Sequence, residues 1–115
     1  MYVDGNVYLN GAEHFIDEKN FIESDFNPGI TILEEDSNIL LNILFDKSIS
    51  KVKTQLVTTG LLGKAMIPNQ AYENFDGSPL EIDIDYFGKK RNKRNPSAGP
   101  FEKPEIGKPL RLKVL

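Results

Sequence analysis

Between Leu80 and Tyr86 the chain alternates strictly, with Leu80, Ile82, Ile84 and Tyr86 apolar or aromatic and Glu81, Asp83 and Asp85 acidic. A repeat of two residues fits a strand and no helix, so the stretch predicts a half-buried strand with one packed face and one carboxylate face. Gly88 then lets the backbone turn, five of the six residues from Lys89 to Arg94 are basic, and Pro96, Gly99 and Pro100 punctuate the exit. The reading is a strand, a charged turn and an irregular return, and the remaining 93 or so residues must pack around it.

The flanking sequence is also β-like. Tyr2 to Leu9 reads as a short strand closed by the turn dipeptide Asn10-Gly11. Ala12 to Phe26 reads as a loop with one helical turn, ended by Asn27-Pro28-Gly29. Ile30–Glu34 and Ile39–Asp46 form a predicted hairpin joined by Glu35-Asp36-Ser37-Asn38, the second arm being buried on both faces. Val52 to Thr58 alternates and is rich in β-branched residues, predicting a further strand. Gly60 and Gly63 break it, Lys64 to Asn74 is an extended connection, Asp76-Gly77-Ser78-Pro79 is a turn, and Leu110 to Val114 is a last strand. No internal repeat of fixed period occurs. The expected fold is mainly β: a small antiparallel β-sandwich-like or two-sheet domain with long irregular connections, residues 1–115 forming one unit.

Composition narrows the function classes. Hydrophobic residues make up 39% and charged residues 27%, as in globular proteins, and no apolar run approaches the roughly 18 residues of a membrane span. There is no cysteine, which removes disulfides, thiolate metal sites and thiol nucleophiles. The net charge of −3 is split, residues 1–50 holding ten acidic and two basic side chains (−8) and residues 51–115 seven acidic and twelve basic (+5). A split of that kind predicts halves with complementary faces; nucleic-acid binders are basic over the whole domain, so neither nucleic acid nor membrane is an expected partner.

Candidate chemistry gathers in the second half. On one strand face Glu81, Asp83 and Asp85 stand in steps of about 6.6 Å, inside the range of about 6.5–9.5 Å used by the carboxylate pair of inverting glycosidases. Asp83 and Asp85 are therefore catalytic candidates, against the plainer reading of a solvated sheet face paired with the basic run. Asp76, Asp83 and Asp85 also supply hard oxygen ligands for calcium, without a calcium-loop spacing, and no other cofactor is expected. Lys89, Lys90, Arg91, Lys93 and Arg94 form either a solvated hairpin tip or a site for polyanions. Tyr72, in a connection, is the candidate aromatic platform for a sugar ring, most of the aromatics being needed for the core. His14 is the single histidine, so any histidine chemistry is confined to that position. No phosphate loop, dinucleotide fingerprint or nucleophile elbow is present.

The string Asp85-Tyr86-Phe87-Gly88-Lys89-Lys90-Arg91, followed by Asn95-Pro96-Ser97-Ala98-Gly99-Pro100-Phe101-Glu102, resembles the C-terminal region of secreted right-handed parallel β-helix proteins that act on polysaccharides as glycoside hydrolases or lyases. Asp76-Gly77-Ser78-Pro79, Val57-Thr58-Thr59 and Leu62-Gly63-Lys64-Ala65 resemble it too, and the likeness runs from about Asn6 to the end. These are turn-forming motifs and bring no catalytic residue with them. The resemblance implies a fragment or C-terminal part of a larger protein, partnered by an upstream β-helix domain of the same polypeptide. It further implies an exported location (secreted, periplasmic or cell-surface, the export signal lying on a longer precursor) and a polysaccharide, uronate-bearing if the basic run binds it. The expected role is a non-catalytic domain that caps or supports the β-helix. Its alternatives are a free-standing carbohydrate-binding module using Tyr72 with Lys89, Lys90, Arg91 and Arg94, and glycosidase-type catalysis by Asp83 and Asp85.

Overall fold

β1 (Asn6–Leu9) and β2 (Phe21–Ser24) run parallel in the computed structural model, which describes residues 2–115, with Asn6 opposite Phe21 and Leu9 opposite Ser24. Parallel neighbours need a connection that returns to the starting end, and a helix usually makes it. Here residues 10–20 return without one, held by the backbone bonds Gly5 N–H to Asn20 O (2.8 Å) and Asn10 N–H to Ser24 O (2.9 Å). The loop expected over Ala12 to Phe26 thus contains a strand. Phe21 and Ile22 are its half-buried apolar pair, and the segment is too short for its period to stand out.

The second sheet is antiparallel, in the order β3 (Thr31–Glu35), β4 (Asn38–Ile43), β5 (Leu110–Lys113). The predicted hairpin is present, Glu35 facing Asn38 across a two-residue turn in which Asp36 takes a positive φ of 54°. β4 is central but only half-buried along its length, and β3 is an exposed edge. The expectation of an arm buried on both faces fails, since every residue of β4 is half-buried.

Neither Val52–Thr58 nor Leu80–Tyr86, both expected to be strands, forms one; each enters only isolated bridges. Thr58 and Glu81 form a single antiparallel bridge, flanked by Thr59 N–H to Leu80 O (3.0 Å) and Ile82 N–H to Val57 O (2.9 Å). A four-residue helix, α1 (Thr59–Leu62), follows at once, capped by the Thr58 hydroxyl accepting from Leu61 N–H, and cuts the segment from Val52 short. The inward alternation of Val52 and Leu56 is nevertheless as predicted. Asn95 and Pro96 occupy the place a neighbouring strand would take: Thr54 N–H donates to Asn95 Oδ1 (2.9 Å) and the Thr54 hydroxyl to Pro96 O.

Three short hairpins then succeed one another, bridged at Lys64–Ala71, Glu73–Pro79 and Ile84–Lys90. The second and third share one design. Asn74 N–H donates to Ser78 O and Gly77 N–H back to Asn74 O (both 2.9 Å), as Asp85 N–H donates to Lys89 O (2.8 Å) and Gly88 N–H to Asp85 O (3.0 Å). Gly77 and Gly88 sit at φ of 82° and 78°, the left-handed position such a turn demands of its fourth residue.

The core is small. Phe45, Phe101 and Leu112 are buried, with Leu41, Ile43, Ile49 and Leu110 packed around them, so β4, β5 and the loop at 96–102 converge on one cluster. The accessible surface is 8454 Å², about a third above the roughly 6,300 Å² of a folded monomer of 13.0 kDa. The radius of gyration of 16.2 Å likewise exceeds the roughly 13 Å typical of this length. Ile67, at 96% exposure, and Phe75 are wholly in solvent.

Candidate functional site

The expected alternation holds at Leu80, half-buried, and Glu81, exposed, and is inverted from Ile82 onward. Ile82, Ile84 and Tyr86 are exposed, while Asp85 is only 8% exposed. Its carboxylate is an acceptor for the main chain: Oδ1 takes the N–H groups of Phe87 (2.9 Å) and Lys89 (2.8 Å), and Oδ2 takes that of Glu102 (2.9 Å). The Glu102 N–H bond, followed by those from Lys89 and Phe87, outweighs desolvation and holds the Asp85 carboxyl below the usual aspartate range. A side chain at the first position of a turn ending in glycine finds those N–H groups pointing at it, so Asp85 is folded into its own turn.

Arg91 completes the same knot from the other side. Its Nε donates to Ile84 O (3.2 Å), Nη1 to Ser97 O (3.1 Å) and Nη2 to Gly99 O (3.0 Å). The guanidinium fork thereby ties the chain at 84 to the loop at 97–99. The buried Glu102 accepts Ser97 N–H on Oε2 (3.0 Å), which lies 3.9 Å from Arg91 Nη1, while its Oε1 has no partner. Lys89 Nζ donates to Glu102 O (3.1 Å).

The basic run is therefore divided. Lys89 and Arg91 are spent on backbone carbonyls, and Lys90 reaches Asp83 Oδ2 (2.6 Å), leaving Lys93 and Arg94 exposed in solvent. The Lys90 hydrogen bond lowers the Asp83 carboxyl, and the Lys90 ammonium is correspondingly raised by Asp83. Asp83 and Asp85 thus do not face one another across a cleft: one holds a surface lysine, the other three amides. Asp76 accepts the Ser78 hydroxyl (2.6 Å) and N–H (3.0 Å), which lower its carboxyl, so the three aspartates named for calcium have three separate partners. Among the described residues no three histidine, aspartate or glutamate side chains converge as metal ligands. Tyr72 is half-exposed and lines a shallow groove of about 420 Å³ with Tyr2, Leu62, Lys64 and Met66.

A second titratable cluster, unforeseen except for His14, lies on β1 and β2. Glu18, 4% exposed, accepts Asn6 N–H (3.2 Å), Asn6 Nδ2 (2.8 Å) and the Tyr8 hydroxyl (2.5 Å). Burial pushes this carboxyl up, but the bonds from Tyr8 and Asn6 outweigh it and the result lies below the usual glutamate range. The Glu18 bond in turn raises the Tyr8 phenol. His14 stacks flat on Phe21 (3.7 Å between centroids) with Nδ1 2.7 Å from Glu23 Oε1, which lowers the Glu23 carboxyl. Together these contacts fasten the helix-free return loop to the parallel pair. Nothing in the spacing of Glu18 marks it as buried; for Asp85, the pattern Asp-x-x-Gly ahead of a strand reversal was the available signal.

A concavity of about 190 Å³ beside the knot lies between the N-terminal segment, residues 54–57 and the loop at 96–99. Its polar groups are already engaged: Arg91 as above, Asp4 by Asn20 Nδ2 (3.3 Å) and Gln55 by the Tyr2 hydroxyl (3.4 Å). It is a seam between segments. Among the described residues no helix is long and apolar enough to cross a membrane.

No protein-family model matches the chain, and no curated protein does. Among solved structures it is similar to XylC, whose structure was determined in complex with xylose: 99% of this chain superposes with a TM-score of 0.84 and 30% sequence identity. The chain spans only 18% of the length of XylC.

Proposed function

We propose that this chain is a non-catalytic, sheet-built support for a larger carbohydrate-active protein, covering exposed strands and apolar surface of that body. The observation that carries the reading is the mismatch between fold and surface. Almost the whole chain superposes on under a fifth of XylC, and it leaves about a third more surface in water than a free-standing protein of its mass. The carbohydrate link rests on XylC, which binds xylose. The finer reading, a cap on a parallel β-helix, draws support from the β1–β2 pair, which stacks in parallel register with no helix in its connection. On this reading the partner is the β-helix body of the same polypeptide, the protein is exported, and Asp85, Arg91 and Glu102 act as framework.

A second reading, a carbohydrate-binding module, is favoured by one observation, the groove flanked by the rings of Tyr2 and Tyr72. The test uses the 115-residue chain alone on xylose-containing oligosaccharides. The support reading expects neither turnover nor retention on immobilised glycan. Retention abolished by Tyr72→Ala would establish the module, and turnover abolished by Asp83→Asn would establish an enzyme.

A further inference from the structure

Turn centres are ordinarily polar, because they meet water from every side. All three successive hairpins break that rule. Met66 (91% exposed) and Ile67 occupy the tip of the first, Phe75 that of the second, and Tyr86 and Phe87 that of the third. The turns do not require these side chains. The second and third are set at their ends, by Asn74 donating to Ser78 Oγ and Pro79 O (both 3.0 Å) and by the Asp85 carboxylate, with glycine at the fourth position, and the first is closed by Ala65 N–H to Gln70 O (2.8 Å) with Asn69 at a positive φ of 51°. Met66, Ile67 and Phe75 also take no part in the core cluster, and among the tip residues only Tyr86 and Phe87 touch it, against Phe101 (5.9 and 5.4 Å between centroids).

Apolar side chains on clamped turns have the character of interface anchors, since the ordering that binding would otherwise demand is already done. The surface excess gives the scale: 8454 Å² against about 6,300 Å² leaves about 2,100 Å², the share one partner contributes to a large obligate interface. We infer that the three tips, Met66-Ile67, Phe75 and Tyr86-Phe87, are the docking face of this chain, and that their occupant is an apolar protein surface on the larger body of which XylC shows a counterpart. The inference rests on the support reading. Glycan is the weaker occupant of the set, because sugar rings stack on flat aromatic faces, which Phe75, Tyr86 and Phe87 offer but Met66 and Ile67 of the first tip do not.

The chain has no cysteine, so single cysteines report cleanly. Ile67→Cys, Phe75→Cys and Phe87→Cys, with Lys93→Cys as an exposed polar control, are placed in the chain alone and in a chimera where the chain replaces its matched segment of XylC. Maleimide labelling at each introduced site is read by peptide mass spectrometry. The inference expects equal, fast labelling of all four in the chain alone, and labelling of the three tips slowed by about tenfold or more in the chimera, with Lys93→Cys unchanged. A folded chimera whose tips label as fast as in the chain alone overturns the docking face and leaves the support reading standing. A chimera that does not fold overturns both. Tip protection in the chain alone by xylose-containing oligosaccharide, with none in the chimera, overturns the protein occupant in favour of glycan.

Discussion

Phe75→Ala and Phe101→Ala remove the same atoms from two sites the structure makes opposite, and the pair tests whether the small core holds the fold. Phe101 is 7% exposed, stacked on Phe87 (5.4 Å) and edge-on to Phe45 (6.0 Å). A phenylalanine side chain offers about 200 Å² of apolar surface; with nine-tenths of it removed from water at about 25 cal/mol/Å², burial is worth about 4–5 kcal/mol, of which alanine keeps about one. The expected loss is about 3–4 kcal/mol, within the range of buried Phe→Ala changes that leave a cavity. Against a total of about 5–15 kcal/mol for a domain, that drives a marginal fold close to its midpoint and lowers Tm by roughly 15 °C. Phe75 is wholly in solvent, so its truncation should stay within about 0.5 kcal/mol of the parent. Urea unfolding followed by circular dichroism measures both. A Phe101→Ala loss below about 1 kcal/mol, or a Phe75→Ala loss above it, would refute this account of where the stability lies.

Other consequences follow from the knot and the return loop. Arg91→Lys keeps the charge but loses the fork that reaches three carbonyls, and should cost about 2–4 kcal/mol, whereas Arg94→Lys should be neutral within about 0.5 kcal/mol, both by thermal unfolding. Asp85→Asn places an amide donor where Glu102 N–H already donates, and should lower Tm clearly. Because the folded Asp85 carboxyl is depressed, its contribution is complete above the unfolded value near 3.9 and disappears as pH falls through the lower folded value; the Asn variant should lack that part of the acid dependence. For Tyr8 the sign is opposite: its folded phenol is raised, so the stability it lends is complete below about 10 and is lost as pH rises through the folded value. Glu18→Gln should bring that ionisation down toward an ordinary tyrosine, as read by ultraviolet titration.

The mainly-β, two-sheet character was legible because period-two patterning and turn dipeptides are local signals, and the hairpin at 31–43 and the strand at 110–113 are where those signals put them. The direction of β2 was not legible, since parallel pairing is decided by where an eleven-residue return loop is tied, and the tie is Glu18, a residue with no distinguishing neighbours in sequence. Over Leu80–Tyr86 the chain forms no strand, and from Ile82 onward the two faces are reversed. The rule that acids face water assumes there is no better acceptor site, and three converging N–H groups gave Asp85 one. With Asp85 turned in, Ile84 and Tyr86 turn out, and a strand read as core-facing becomes part of an exposed apolar surface. The same local competition takes Arg91 into the framework, where the carbonyls of Ile84, Ser97 and Gly99 accept its three donors.

The support reading is tested most directly by thermal unfolding of XylC with its matched segment deleted, beside the same protein with this chain in its place. The account predicts that the chain restores a single cooperative transition well above that of the deleted form. A chimera that melts no higher than the deletion, or in two separate transitions, would contradict it.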